Sequence, residues 1–291
     1  MSAAQTVKNG TGPRNALSID VEEWFHILNL PSTPEPSKWL ELPRTVESNT
    51  QRLLEILDAT KTRATCFVLG WVARNYPALV KQIHAAGHEV ACHGDMHELC
   101  FEQGQERFEN DLVRAKQQLE DLTGSAVRGY RAPGFSIVES TPWAFEVISR
   151  VGFRYDSSVF PAKRLHGGDP GAPLEPYSIA LQDGSSLAEF PMTVAELGPL
   201  RLAFAGGGYL RLFPYGLIRR GIRNLNAAGR PACVYLHPRE IDPQHPRLEM
   251  SFGRRFRCYV NLRTTETKLR RLCDDFAFAP LSDVLTERGL L

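Results

Sequence analysis

The chain has 291 residues, 43% of them hydrophobic and 23% charged, proportions that suit a globular protein with a sizeable core and exclude a disordered or fibrous one. Its formal net charge of +1 gives no electrostatic case for nucleic acid or an anionic membrane surface as the main partner. No apolar run approaches the roughly 18 residues of a membrane-spanning helix, and the six cysteines (Cys66, Cys92, Cys100, Cys233, Cys258, Cys273) lack the CxxC spacing of a structural zinc site or redox pair.

Residues 1–15 are rich in Ser, Thr, Gly, Asn and Ala and lack the apolar stretch of a secretory signal. They are read as a disordered leader on a cytoplasmic chain. From residue 16 onward, strand-like and helix-like patterns alternate, as βα units around a parallel sheet or barrel do. Residues 16–20 form an apolar run ending in acid, 45–59 carry a helical stripe, and 64–69 read as a buried strand that contains Cys66. Residues 72–86 are helical and stop at Gly87. Residues 88–92 form a strand that ends at His93.

Residues 105–122 give the clearest helix, with Phe108, Leu112, Ala115, Leu119 and Leu122 on one side. Residues 127–130 lead as a strand into Arg131, and 141–151 are helical with Pro142 in the first turn. A strand over 153–155, a buried strand over 232–236 leading into His237, and a helix over 264–273 complete the pattern. Residues 161–205 are rich in Gly and Pro, with Glu189-Phe190-Pro191 read as an extended segment at the rim. The stretch 161–215 is thus a candidate insertion shaping a substrate groove. Residues 16–291 are read as one domain.

In a parallel α/β barrel every strand ends on the same face. Asp20, Glu22, His93, Arg131, Asp156 and His237 all lie at or just after predicted strand ends, so they are expected in one pocket. Strand alternation puts Asp20 and Glu22 on one face and Glu23 on the other. His93 and His97, separated by three residues, are spaced to converge on one cation.

The order Asp20-Val21-Glu22-Glu23, His93-Gly94-Asp95-Met96-His97, Arg131-Ala132-Pro133-Gly134 and Leu236-His237-Pro238 resembles the polysaccharide deacetylase family, the NodB-like carbohydrate esterases. The resemblance covers about residues 16–285. The segments Asp20 to His26, Tyr155-Asp156-Ser157-Ser158, Gly206 to Tyr209 and His237 to Pro243 further resemble the branch found in exosortase-linked exopolysaccharide gene clusters.

The resemblance implies an α/β fold, a distorted (β/α) barrel of the NodB-homology type with a long insertion near the rim. It also implies a metal-dependent hydrolase that removes an N-acetyl group from an N-acetylhexosamine unit of a saccharide; the lack of a secretory signal points to a cytoplasmic step, on a lipid-linked or otherwise activated precursor of an exopolysaccharide. One divalent metal ion, zinc, would be held by His93, His97 and Glu22. The family's commoner Asp-Asp pair is replaced here by Asp-x-Glu, which makes Asp20 the general base and Glu22 the ligand. Exchanged roles for the two, and Glu23 as the ligand, are the alternatives. Arg131 would hold Asp20, His237 would be the general acid, and Asp156 would orient His237.

Two other functional readings share the fold: an amidohydrolase acting on a small cyclic or linear amide, and a saccharide-binding module without catalysis. Trp24, Phe25, Phe135, Tyr209 and Phe213 are either core or sugar-stacking faces. Gly206-Gly207-Gly208 lacks the strand-then-helix context of a phosphate loop. His26, His84, His88, His166 and His245 carry no assigned role.

Overall fold

The computed structural model describes residues 12–164, 167–198 and 200–291. β1 (Asn15–Val21) leads through α1 (Val46–Ala59) to β2 (Thr65–Val68), and α2 (Gly70–Asn75) and α3 (Pro77–Ala85) lead on to β3 (Glu89–Cys92). Next come α4 (Cys100–Gln103), α5 (Gln105–Thr123), β4 (Gly129–Tyr130), α6 (Trp143–Arg150) and β5 (Tyr155–Asp156). β6 (Tyr177–Ala180), β7 (Ser186–Glu189), β8 (Val194–Leu197) and β9 (Leu200–Ala203) follow without intervening helices. The chain ends with α7 (Gly207–Leu212), α8 (Tyr215–Ala227), β10 (Cys233–Leu236), α9 (Phe252–Tyr259), α10 (Thr265–Asp275), β11 (Phe278–Ala279) and α11 (Leu281–Glu287). Among the described residues no helix is long and apolar enough to cross a membrane.

The main sheet runs β10-β1-β2-β3-β4-β5-β7-β6, with β11 also paired to β1, and only the β6–β7 pair is antiparallel. The sheet curls so that its edges approach through the segment before α7. There the Tyr235 amide donates to the Ala205 carbonyl at 3.4 Å, and Gly206 bridges to Tyr235. A Cβ on Gly206 would lie 2.0 Å from Tyr235 Cδ1, so glycine alone permits this approach. The result is a distorted (β/α) barrel, as expected.

Strand alternation divides the core in two. Leu17, Ile19 and Val21 of β1, Cys66 and Val68 of β2, Val90 and Cys92 of β3, and Val234 and Leu236 of β10 pack outward with the helices. Their neighbours Ala16, Phe67, Ala91, Cys233 and Tyr235 pack inside the barrel with Tyr155 and Phe190. This alternation turns Asp20 inward. It also leaves Cys66, Cys92 and Cys233 as buried free thiols, in keeping with the expected small hydrophobes.

α5 buries Phe108, Leu112, Ala115 and Leu119, and Gly124 ends it at a left-handed φ of 65°. Where one helix was expected over 72–86 there are two, because Pro77 lacks an amide proton and restricts Tyr76, which sits at a non-helical ψ of 56°. β1 begins at Asn15, whose amide donates to the Ala277 carbonyl, so the expected leader loses its last residue to the sheet; residues 1–11 lie outside the described residues.

The stretch 161–215 departs most from expectation. Ser186–Glu189 is a strand of the main sheet, parallel to β5, while β8 and β9 form a separate hairpin. Its last three residues are all buried, so it lacks the alternation that marks a strand with one wet face. α8 escaped detection because Gly216 and Gly221 interrupt its pattern, and α9 because it buries none of its residues.

Phe108 is fully buried and packs edge-on against Tyr130 and Trp143. Phe108→Ala should cost about 3–5 kcal/mol of unfolding free energy, read as a lower urea midpoint at unchanged slope. A loss under about 1 kcal/mol would contradict this packing.

Candidate active site

Arg131 leaves the end of β4 and points into the barrel, where it is fully buried. Its Nη1 donates to Asp20 Oδ1 at 2.7 Å and Ser18 Oγ at 2.8 Å, and its Nε donates to the Ser157 carbonyl at 3.1 Å. Nη2 reaches Ser157 Oγ at 3.0 Å and Cys233 Sγ at 3.7 Å. The guanidinium carbon lies 4.1 Å from the centre of the Phe67 ring. Burial works against the charge, and Asp20 overcomes it, holding the arginine above its ordinary pKa.

Glu22 follows β1 by one residue and is buried. One ligand atom each from Glu22, His93 and His97 lie within 4.8 Å of one another, which makes a possible metal site. His93 Nδ1 lies 2.8 Å from the Arg131 carbonyl. A carbonyl only accepts, so the ring proton sits on Nδ1 and the Nε2 lone pair faces the cluster. Burial lowers the His93 pKa to about 4, which keeps the ring neutral, as a ligand must be.

Glu22 Oε2 is buried with no hydrogen-bond donor, though His97 Nε2 lies 2.5 Å away and His93 Nε2 3.9 Å away. Two imidazoles and a carboxylate gathered in this way fit a divalent cation of the zinc class. Glu22 Oε1 pairs with Arg239. Burial raises the Glu22 pKa, but His97, Arg239 and His237 outweigh it and hold the carboxyl well below its usual range.

The loop between the two histidines is tied down on both sides. The Asp95 amide donates to Asp111 Oδ2 at 2.8 Å, and the Asp95 carboxylate pairs with Arg74 and Arg114. His97 occupies a left-handed φ of 58°, unusual for a non-glycine residue and of the kind found where structure holds a functional side chain in place. His26 stacks on His97 with ring centres 5.3 Å apart, and its Nδ1 accepts the Glu23 amide at 3.2 Å.

His237 follows β10. Its Nε2 lies 3.8 Å from Asp20 Oδ2 and 3.5 Å from Glu22 Oε1, and its Nδ1 lies 2.6 Å from Glu240 Oε1. Glu240 Oε2 in turn accepts from Arg211 Nε at 2.7 Å. Burial opposes ionisation of Glu240, but Arg211 and His237 bring its pKa down to about 2.

Asp20, Glu22, His93, His97, Arg131 and His237 therefore converge, and Asp156 corrects an expectation. Its Oδ1 accepts from Ser158 Oγ at 2.6 Å, and Ser158 Oγ accepts the Ala132 amide at 2.7 Å, so Asp156 braces the backbone beside Arg131. It lies against Glu189, whose carboxyl is raised well above its ordinary range by burial and by Asp156. The imidazole of His237 is held by Glu240 instead. Glu23 faces away from the cluster and accepts the Thr45 and Val46 amides at 2.9 and 3.0 Å, satisfying donors at the start of α1.

Glu240 and Arg239 were missed from sequence. The signal for Glu240 was its spacing: it follows His237 by three residues with Pro238 between, so its carboxylate folds back over one helical turn to accept the His237 amide at 3.2 Å. Of the candidate sugar-stacking aromatics, Trp24, Phe25 and Phe135 are buried, while Tyr209 is 38% exposed. His166 lies outside the described residues.

Residues 33–155 match the family profile described as polysaccharide deacetylase, and residues 157–286 match a domain of unknown function, DUF3473. The site draws on both segments and on Asp20 and Glu22 before them. A peptidoglycan deacetylase of Helicobacter pylori is 31% identical over 136 residues, 45% of this chain and 45% of that protein. The match thus spans under half the length of that relative. In structure, the chain is similar to a candidate polysaccharide deacetylase from Mycobacterium smegmatis, with a TM-score of 0.64 and 23% identity over 99% of this chain and 94% of that one. It is also similar in fold to the allantoinase PuuE, with a TM-score of 0.63 and 15% identity over 94% of this chain and 89% of that one. With the family profile matched between β1 and β5 and the motifs gathered at one end of the barrel, residues 33–155 carry a polysaccharide deacetylase domain.

Proposed function

We propose that this chain is a metal-dependent hydrolase that removes the N-acetyl group from an N-acetylhexosamine unit of a saccharide during exopolysaccharide assembly. The observation that carries the reading is the cluster of Glu22, His93 and His97 beside an arginine-held carboxylate and a carboxylate-held imidazole. These groups border one cavity of about 190 Å³. The resemblance of the Asp20 to His26 and His237 to Pro243 segments to the exosortase-linked branch supports exopolysaccharide as the substrate class.

A divalent cation such as zinc, held by Glu22, His93 and His97, supplies a more acidic water and a polarised acetyl carbonyl. Asp20 acts as the general base. Arg131 holds its Oδ1, while Oδ2 faces His237 and takes the proton of the attacking water. The new C–O bond forms as the carbonyl carbon becomes tetrahedral.

Glu240 fixes the proton of His237 on Nδ1 in the neutral ring, and in the imidazolium both nitrogens carry one. Nε2 of the imidazolium gives its proton to the sugar amine as the C–N bond breaks. Acetic acid and a free amine are formed, and the acid loses its proton to solvent as acetate. The proton gained by Asp20 passes back to His237 and restores both groups.

The division of labour between the two carboxylates is testable by metal analysis of purified variants. Asp20→Asn should retain about one metal per chain and lose about a hundred- to ten-thousandfold in turnover, whereas Glu22→Ala, and likewise His93→Ala with His97→Ala, should lose the metal. Metal lost from Asp20→Asn and kept by Glu22→Ala would exchange the roles.

His237→Ala should keep the metal but lose about a hundred- to ten-thousandfold in turnover on an N-acetyl sugar. An activated aryl acetate needs no protonation of its leaving group, so the deficit there should be at least about tenfold smaller. Equal deficits on the two substrates would contradict the role of His237 as acid.

A further inference from the structure

The cavity beside Glu22, His93 and His97 opens into a second of about 300 Å³, and the two share Ile27, Arg164, Tyr235, His237, Arg239 and Arg254 as walls. Arg211 and Arg257 add two more guanidinium groups to the second cavity, whose only carboxylate among the described residues is Glu240. Both oxygens of Glu240 are already engaged, by His237 and Arg211. Glu22 likewise balances Arg239.

Three arginines are left without an acidic partner among the described residues. Arg254 donates only to the backbone carbonyls of Leu28 and Asn29. Arg164 lies over the rings of Phe135 and Phe160, 4.8 and 4.3 Å from their centres, and its Nη1 is buried with no acceptor. The Arg257 side chain is exposed at the mouth. A chain of net charge +1 has thus gathered uncompensated positive charge in one place, and a buried donor with no acceptor is costly unless something supplies one.

We propose that this second cavity binds an anionic group, a carboxylate or a phosphate, carried by the saccharide next to the N-acetylhexosamine unit that loses its acetyl group. The inference rests on the deacetylase reading of the first cavity. A planar guanidinium fork matches either anion through two parallel hydrogen bonds, and stacking on Phe135 and Phe160 fixes the plane of the Arg164 fork in advance. Tyr209, a wall of the second cavity alone, offers a face for the sugar ring that carries the anion. The shared walls mean that neighbouring parts of one molecule fill the two cavities together.

Calorimetry on the full, zinc-loaded chain tests this with two matched pairs of probes. One pair is N-acetylglucosamine 1-phosphate against methyl N-acetylglucosaminide, and the other is a hyaluronan tetrasaccharide against chitotetraose. The anionic member of at least one pair should bind about ten- to a hundredfold more tightly, as charge-assisted hydrogen bonds do. The pair that shows the preference identifies phosphate or carboxylate as the group recognised.

In Arg164→Gln and in Arg257→Gln the preference should shrink by about tenfold, with melting temperature and metal content unchanged. Equal binding within both pairs, or a preference that survives both substitutions, would overturn the proposal. Acetate release from chitotetraose is measured separately. Its absence would count against the deacetylase reading and leave the binding result to stand or fall by itself.

Discussion

A guanidinium with no exposure to water, inside a barrel whose other inward residues are largely apolar or small, is the constraint around which this site is built. Bringing Arg131 and Asp20 out of water costs several kcal/mol per ion before their attraction is counted. The structure offsets this by giving each of the five guanidinium protons an acceptor, on Asp20, Ser18, Ser157 and Cys233. Those acceptors come from β1, from the turn after β5 and from β10. One side chain thereby holds three strand ends in register, and removing either charge would leave the other buried and unpaired.

The same device is repeated outward from the core. Asp20 has an arginine, Arg131, on one side and the His237 imidazole on the other; Glu22 has Arg239 and His97; Glu240 has Arg211 and His237. In each case an arginine pairs with one oxygen of a buried carboxylate and leaves the second oxygen facing an imidazole. Orientation and charge are set before any substrate arrives, as electrostatic preorganisation requires. Toward solvent the pattern ends, and arginines without carboxylates line the adjoining cavity.

Much of this was legible in the sequence because strands ending in ionisable residues carry two signals at once. Apolar runs at 16–20, 88–92 and 232–236 located strands, and the residues that followed them located the mouth of the barrel. Alternation alone separated Asp20 and Glu22 from Glu23. The partner of His237 was misjudged because Asp156 also ends a strand, and sequence order does not show which carboxylate a ring nitrogen meets. The answer lay closer in sequence, in the helical turn that follows the histidine. β7 went unrecognised, with only its last residue Glu189 in the segment read as extended, because a strand buried on both faces loses its period of two, and the arginines of the second cavity come from distant segments that only folding brings together.

The central claim is that a divalent metal belongs to Glu22, His93 and His97 while Asp20 stays with Arg131. Anomalous diffraction at the zinc edge, from crystals of the full chain grown with zinc, tests it most directly. The account predicts one peak bonded to those three residues, with the Asp20 carboxylate still on Arg131. A peak bonded to Asp20 or Glu23 in place of Glu22, or no peak at this cluster, would contradict it.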